Sequence, residues 1–190
     1  MSSPERGGNP VNVRFARLGV GLGLLLSVAA VSACTVRPLY SNAPATTSGT
    51  ASMAAELSSI SIKPVSTRYA QEVRNNLIFL FNGGAGQPSS PAYTLDLNVA
   101  RRVEVAATTQ VTTVDDEPTA STVTLIGSYS LKKAGTGEVV ATGRRQIMSS
   151  YDVPRQEFAA LRALRDAENR SSRELAELLR MSIAQDIASK

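Results

Sequence analysis

The stretch Tyr93–Ala107, "YTLDLNVARRVEVAA", decides how the chain is read. Tyr93, Leu95, Leu97, Val99, Val103 and Val105 occupy odd positions, while Thr94, Asp96, Asn98, Arg102 and Glu104 occupy even ones. A strand alternates its side chains between two faces, so this pattern predicts a long strand with one apolar and one wet face. Arg101 is the one member of the odd set that breaks it.

Downstream, "STVTLIGSYSLKK" repeats the period with Val123, Leu125, Tyr129 and Leu131, and the "AGTG" beginning at Ala134 predicts a hairpin into "EVVATGRRQIMSSYD". Half-wet strands joined by tight turns read as antiparallel. Between the first two strands, Thr108–Ala120 is polar, carries Asp115, Asp116 and Glu117, and is expected to be an exposed loop.

Upstream, "LSSISIKPV" from Leu57 to Val65 reads as a short strand ended by Pro64. Ser66 or Thr67 then offers a cap to "RYAQEVRNNLIFLF", where Val73, Leu77, Leu80 and Phe81 recur at helical spacing before "NGG" from Asn82. At the other end, Pro154 opens a terminal helix to about Ile187. Its stripe of Leu161, Leu164, Leu175, Leu178, Leu179, Ile183 and Ile187 is interrupted at Asn169-Arg170-Ser171-Ser172, which predicts a bend there. The order β-α-β-β-β-α therefore predicts an α+β, two-layer sandwich: a four-stranded, mostly antiparallel sheet with two helices packed on one face. The other face is left with Thr, Ser, Asn, Gln and charged residues.

The N-terminal region has a different character. Arg6, Arg14 and Arg17 precede the uncharged stretch Leu18–Ala33, about 16 residues, which has the build of an export signal and is shorter than the roughly 20 apolar residues a spanning helix needs. It ends at Val31-Ser32-Ala33-Cys34, similar to a bacterial lipobox, in which the cysteine is lipidated and becomes the first residue of the mature protein. A buried thiol and ordinary secretory cleavage near Ala33 are the alternatives. Each buried methylene of a lipid contributes roughly 0.8 kcal/mol, so several acyl chains on Cys34 would tether the domain stably. Thr35 is not the aspartate associated with inner-membrane retention, which makes the periplasmic side of the outer membrane the expected location. The divisions are 1–33 for the signal peptide, 34–56 for the lipidated N-terminus and a flexible tether including "SNAPATTSGTAS", and 57–190 for the folded domain.

Composition excludes several functions. With the leader counted off, 17 basic residues face 15 acidic ones, so nucleic acid is a poor partner. The chain has no histidine, which removes His-based triads and His-zinc sites, and its lone cysteine is assigned to lipid. No phosphate loop or nucleophile elbow is present. No catalytic residue, metal or cofactor is expected, and the protein is read as a non-enzyme.

Together these pieces resemble one family, the LPS-assembly lipoprotein LptE in its alphaproteobacterial form. The resemblance lies in "CTVRPLY" after the lipobox, "VRNNLIFLF", "YTLDLNV", "GSYSL" and "SSYDVPRQEFAALRALRDAENR", in that order. It implies a plug inside the lumen of the outer-membrane β-barrel LptD, supporting its assembly and lipopolysaccharide delivery to the outer leaflet. The competing reading is a free periplasmic lipid-binding or envelope-maintenance lipoprotein acting through an apolar pocket.

Candidate contacts for lipid A phosphates or for acidic groups of the barrel are the pairs Arg101-Arg102, Lys132-Lys133 and Arg144-Arg145. Neighbours in a strand point to opposite faces, so one member of each pair serves a given surface; strand-end cations also guard sheets against aggregation. Tyr129 shares its face with Leu125 and Leu131 and is expected in the core. Asp166 and Glu168 are expected on a solvated helix surface.

Overall fold

The computed structural model describes residues 53–111 and 116–189; Cys34 and the predicted leader and tether up to residue 52 lie outside them. The elements are helix α1 (Met53–Ser58), strand β1 (Ile60–Ile62), helix α2 (Arg68–Asn82), strands β2 (Tyr93–Gln110), β3 (Asp116–Lys133) and β4 (Val139–Asp152), and helix α3 (Glu157–Ala188). The fold is α+β, as the alternating pattern predicts.

The sheet order is β1-β2-β3-β4, with β1 parallel to β2 and the other two pairs antiparallel. In the β2–β3 ladder Leu95 faces Leu131, Leu97 faces Tyr129 and Val99 faces Gly127. Leu95, Leu97, Val99, Val123, Leu125, Tyr129 and Leu131 are all buried, and they meet Ala70, Val73, Leu77 and Phe81 of α2 and Leu175, Leu179 and Ile183 of α3. Odd-numbered positions thus form the core face in β2 and β3, and both helices pack on that face.

Four local expectations are corrected. Residues 53–58 form a helical turn rather than tether and strand, and only Ile60–Ile62 are extended. The predicted loop 108–120 is largely strand: pairing runs out to Gln110 opposite Asp116, with shifts in register around Ala107 near Pro118. A ladder is held by backbone hydrogen bonds, so polar side chains do not end it, and proline is accommodated where the register is irregular. Helix α3 passes 169–172 without interruption. Its Ser171 and Ser172 are fully buried, and the Ser172 hydroxyl donates to the Tyr69 carbonyl at 3.4 Å. Small residues there admit α2 close to α3 instead of bending the helix.

The fourth correction is Glu168, which is 3% exposed rather than solvated. Asp166, its neighbour two residues earlier, does lie at the surface and pairs with Arg170.

Two glycines set distances between layers. A Cβ on Gly127 would lie 3.0 Å from the Leu179 side chain, so the bare backbone lets α3 settle on β3. A Cβ on Gly143 would come within 2.5 Å of the Tyr129 hydroxyl. Tyr129 lies across β4 at that point and reaches α3, where its hydroxyl is 2.8 Å from Ser182 Oγ and donates to Asp186 Oδ2 at 2.5 Å. Burial, reinforced by the Asp186 carboxylate, pushes the Tyr129 phenol up to about 12.

Candidate functional site

The face of the sheet turned away from the helices is the broadest candidate surface. It is built from even-numbered residues: Asp96, Asn98, Ala100 and Arg102 of β2, Thr124, Ile126, Ser128, Ser130 and Lys132 of β3, and Thr142, Arg144, Gln146 and Met148 of β4. Polar and small side chains dominate, as the alternation requires once the odd positions are committed to the core. No helix covers this face among the described residues.

The register sorts the six candidate cations. Arg102, Lys132 and Arg144 stand on the open face, whereas Arg101, Lys133 and Arg145 lie on the helix side. Arg102 is level with Thr124, and Arg144 with Ser128. Four β3 residues therefore separate each successive level up to Lys132, roughly 13 Å at the rise of a strand. The three form a spaced line down the sheet, not a cluster.

Their charges are unequally compensated. Asp96 accepts from Lys132 at 2.7 Å and from Lys63 at 2.5 Å, and these two ammonium groups, Lys132 foremost, hold its carboxyl below the usual aspartate range. Arg102 lies 3.6 Å from Glu104, with both side chains mostly in water. Arg144 is exposed and has no ion pair among the described residues; its carbonyl accepts from the Arg145 side chain at 2.8 Å. Lys133 pairs with Glu138 across the turn at 2.9 Å, which raises its ammonium.

Arg101 has another role. It reaches over the Tyr69 ring, 5.5 Å from its centroid, and donates to Glu168 Oε1, while Arg68 donates to Glu168 Oε2 at 2.7 Å. Arg68 also donates to Asn169 at 3.1 Å. One buried carboxylate thus joins the start of α2, the middle of β2 and the middle of α3. Arg101 breaking the odd pattern was the visible sign of this junction; its partner, 67 residues away, carried no signal in the sequence.

Two clefts complete the surface. One, about 480 Å³, is lined by Pro64, Val65, Thr67, Ala70, Leu97 and Val99. The other, about 400 Å³, includes Tyr151, Asp152, Asp166 and Arg170. Among the described residues no three His, Cys, Asp or Glu side chains gather as metal ligands, and no helix is long and apolar enough to cross a membrane.

No family model and no curated protein sequence matches the chain. Solved structures do. A protein from Caulobacter crescentus described as a lipoprotein superimposes with a TM-score of 0.59 and 25% identity, over 73% of this chain and 97% of that one. Rare lipoprotein B from Shewanella oneidensis gives 0.49 and 14% identity over 68% and 95% of the two chains. A minor lipoprotein from Acinetobacter baumannii gives 0.42 and 14% over 68% and 90%.

Proposed function

We propose that this chain is an envelope lipoprotein, tethered through Cys34 to the periplasmic side of the outer membrane, whose domain lodges in and supports the LPS translocon β-barrel. The observation that carries the reading is the open sheet face, polar from β2 to β4 and uncovered among the described residues. The lumen of a wide outer-membrane barrel is polar, so a domain resting against its wall needs a hydrophilic flank of this kind. Membrane attachment is supported by the lipobox at Val31–Cys34 and by the fold shared with the Caulobacter crescentus protein described as a lipoprotein.

In this reading the protein works by shape and polar contact. Arg144, exposed and without an acidic partner among the described residues, is the strongest candidate on the face for an anionic group of the barrel or a lipid A phosphate, which suits the guanidinium fork. Arg102 and Lys132 would extend that contact along the sheet. Arg101 belongs to the internal junction and contributes indirectly.

Purification from detergent-solubilised outer membrane tests the proposal. The expected result is a stable one-to-one assembly with a very large β-barrel; recovery solely as a free monomer would overturn it. Attachment is tested separately by Cys34→Ala, which should abolish palmitate incorporation and processing. Continued labelling of that variant would move the lipid elsewhere.

A further inference from the structure

Strand β1 is one of the two outer strands of the sheet, and β2 engages only one of its sides. The Tyr93 N–H donates to the Ser59 carbonyl at 3.4 Å, and the Lys63 N–H donates to the Leu95 carbonyl at 3.1 Å. Odd residues therefore serve β2, while Ile60 and Ile62 aim their backbone groups outward. Both isoleucines are fully buried in the core. A strand added here would prolong an apolar layer as well as a ladder, the combination that makes an outer strand prone to self-association.

Side chains already occupy that outer side. The Ile62 N–H donates to Gln87 Oε1 at 2.6 Å, and the Ser61 hydroxyl donates to the same oxygen at 3.3 Å. The Ile62 carbonyl accepts from Arg74 Nε at 3.2 Å and from Nη2 at 3.0 Å, and Nε also reaches the Lys63 carbonyl at 3.0 Å. Both ladder groups of Ile62 are thus held, one by an amide and one by a guanidinium. Arg74 comes from the middle of α2. Gln87 comes from the connection between α2 and β2, which Gly84 and Gly86, at φ 91° and 82°, turn back on itself. Gln87 is exposed, so its hold on Ile62 can be lost without opening the core.

The other outer strand shows a related arrangement. The Val153 N–H donates to the Thr119 carbonyl at 2.9 Å, so even residues of β4 face outward. Of these, the Arg144 carbonyl accepts from Arg145 at 2.8 Å and the Ser150 carbonyl from Arg170 at 3.3 Å.

We infer that Gln87 and Arg74 form a lock on β1 that keeps a second copy of this chain from extending the sheet at this edge. A second copy is the strand this edge fits. Related by a two-fold axis through Ser61, two Ile60-Ser61-Ile62 segments set each Ile60 opposite the other copy's Ile62, apolar against apolar. Such an outward-facing pair exchanges two main-chain hydrogen bonds, which need the Ile62 N–H and C=O. Those are the two groups the lock takes. The inference is independent of the barrel proposal, which concerns the open face.

Amide hydrogen exchange and sedimentation of the full chain in detergent test it. Gln87→Leu removes the acceptor, whereas Gln87→Glu keeps one. In dilute solution Gln87→Leu should exchange the Ile62 amide about tenfold faster than the parent, with the Lys63 amide unchanged, and Gln87→Glu should keep the parent's rate. Gln87→Leu should also raise the dimer association constant about threefold, and together with Arg74→Leu about tenfold, with Ile62 protected in the dimer. The single variant keeps the test decisive should the double variant not fold. Unchanged Ile62 exchange in Gln87→Leu, a folded double variant as monomeric as the parent, or a dimer protected elsewhere than Ile60–Ile62 would overturn the inference.

Discussion

Glu168 joins three elements through two arginines, and the two sides of those ion pairs differ sharply in exposure. The glutamate side chain is 4% exposed, whereas Arg68 is 44% and Arg101 39% exposed. Replacing either arginine by alanine leaves the carboxylate one guanidinium, and because each arginine is half in water the expected cost is about 1 kcal/mol. Replacing both leaves a buried anion unpaired, which costs about 3–5 kcal/mol. The double loss should therefore exceed the sum of the singles by roughly 1–3 kcal/mol. Adding Glu168→Gln to the double variant removes the stranded charge and should restore about 2 kcal/mol. Urea titration followed by far-ultraviolet circular dichroism supplies the measurement, with each midpoint compared at a common slope. Additive single and double losses, or a triple variant less stable than the double, would refute the argument that an unpaired buried charge dominates.

Other consequences can be checked with similar economy. Gly143→Ala forces a Cβ into the Tyr129 ring and should cost about 1–3 kcal/mol, while Gly135→Ala, with open space around its position, should be neutral to within about 0.5 kcal/mol in the same denaturation assay. The Tyr129 phenol ionises later in the folded protein than in the unfolded chain, so its contribution is complete below pH 10.0 and is lost as pH rises toward and past 12. Ultraviolet titration of phenolate should show a late-ionising component that Tyr129→Phe removes, and the same variant should flatten the alkaline fall in stability. Reversing Arg102 and Arg144 to glutamate should weaken association with the proposed barrel partner at least tenfold, leaving the unfolding free energy within about 0.5 kcal/mol of the parent; unchanged association would assign these cations to solvation alone.

The strand pattern of Tyr93–Ala107 was sufficient to place the core, because a period of two commits each residue to a face before any partner is known. It also sorted the charge pairs, since adjacent residues must part company. The junction at Glu168 was hidden for the opposite reason. Helical spacing identifies an apolar stripe, and a carboxylate within such a helix reads as solvated unless its arginines, distant in sequence, are known to arrive. Ser171-Ser172 misled similarly: pattern reading weighs polarity, whereas the close approach of α2 depends on size. The ribbon beyond Val105 escaped detection because backbone pairing, not side-chain hydrophobicity, extends it.

That ribbon has a mechanical consequence. At strand rise, the 18 residues of β2 span roughly 60 Å, and the 15 residues of α2 cover only about 22 Å of the same side. Near the base, separating β2 from β3 would require opening the oily interior; near the tip, only water-facing hydrogen bonds need part. Exchange and protease sensitivity should therefore grade along the hairpin, with the far end opening many times before the body does. The hairpin is thus stiff at its base and yielding toward its tip.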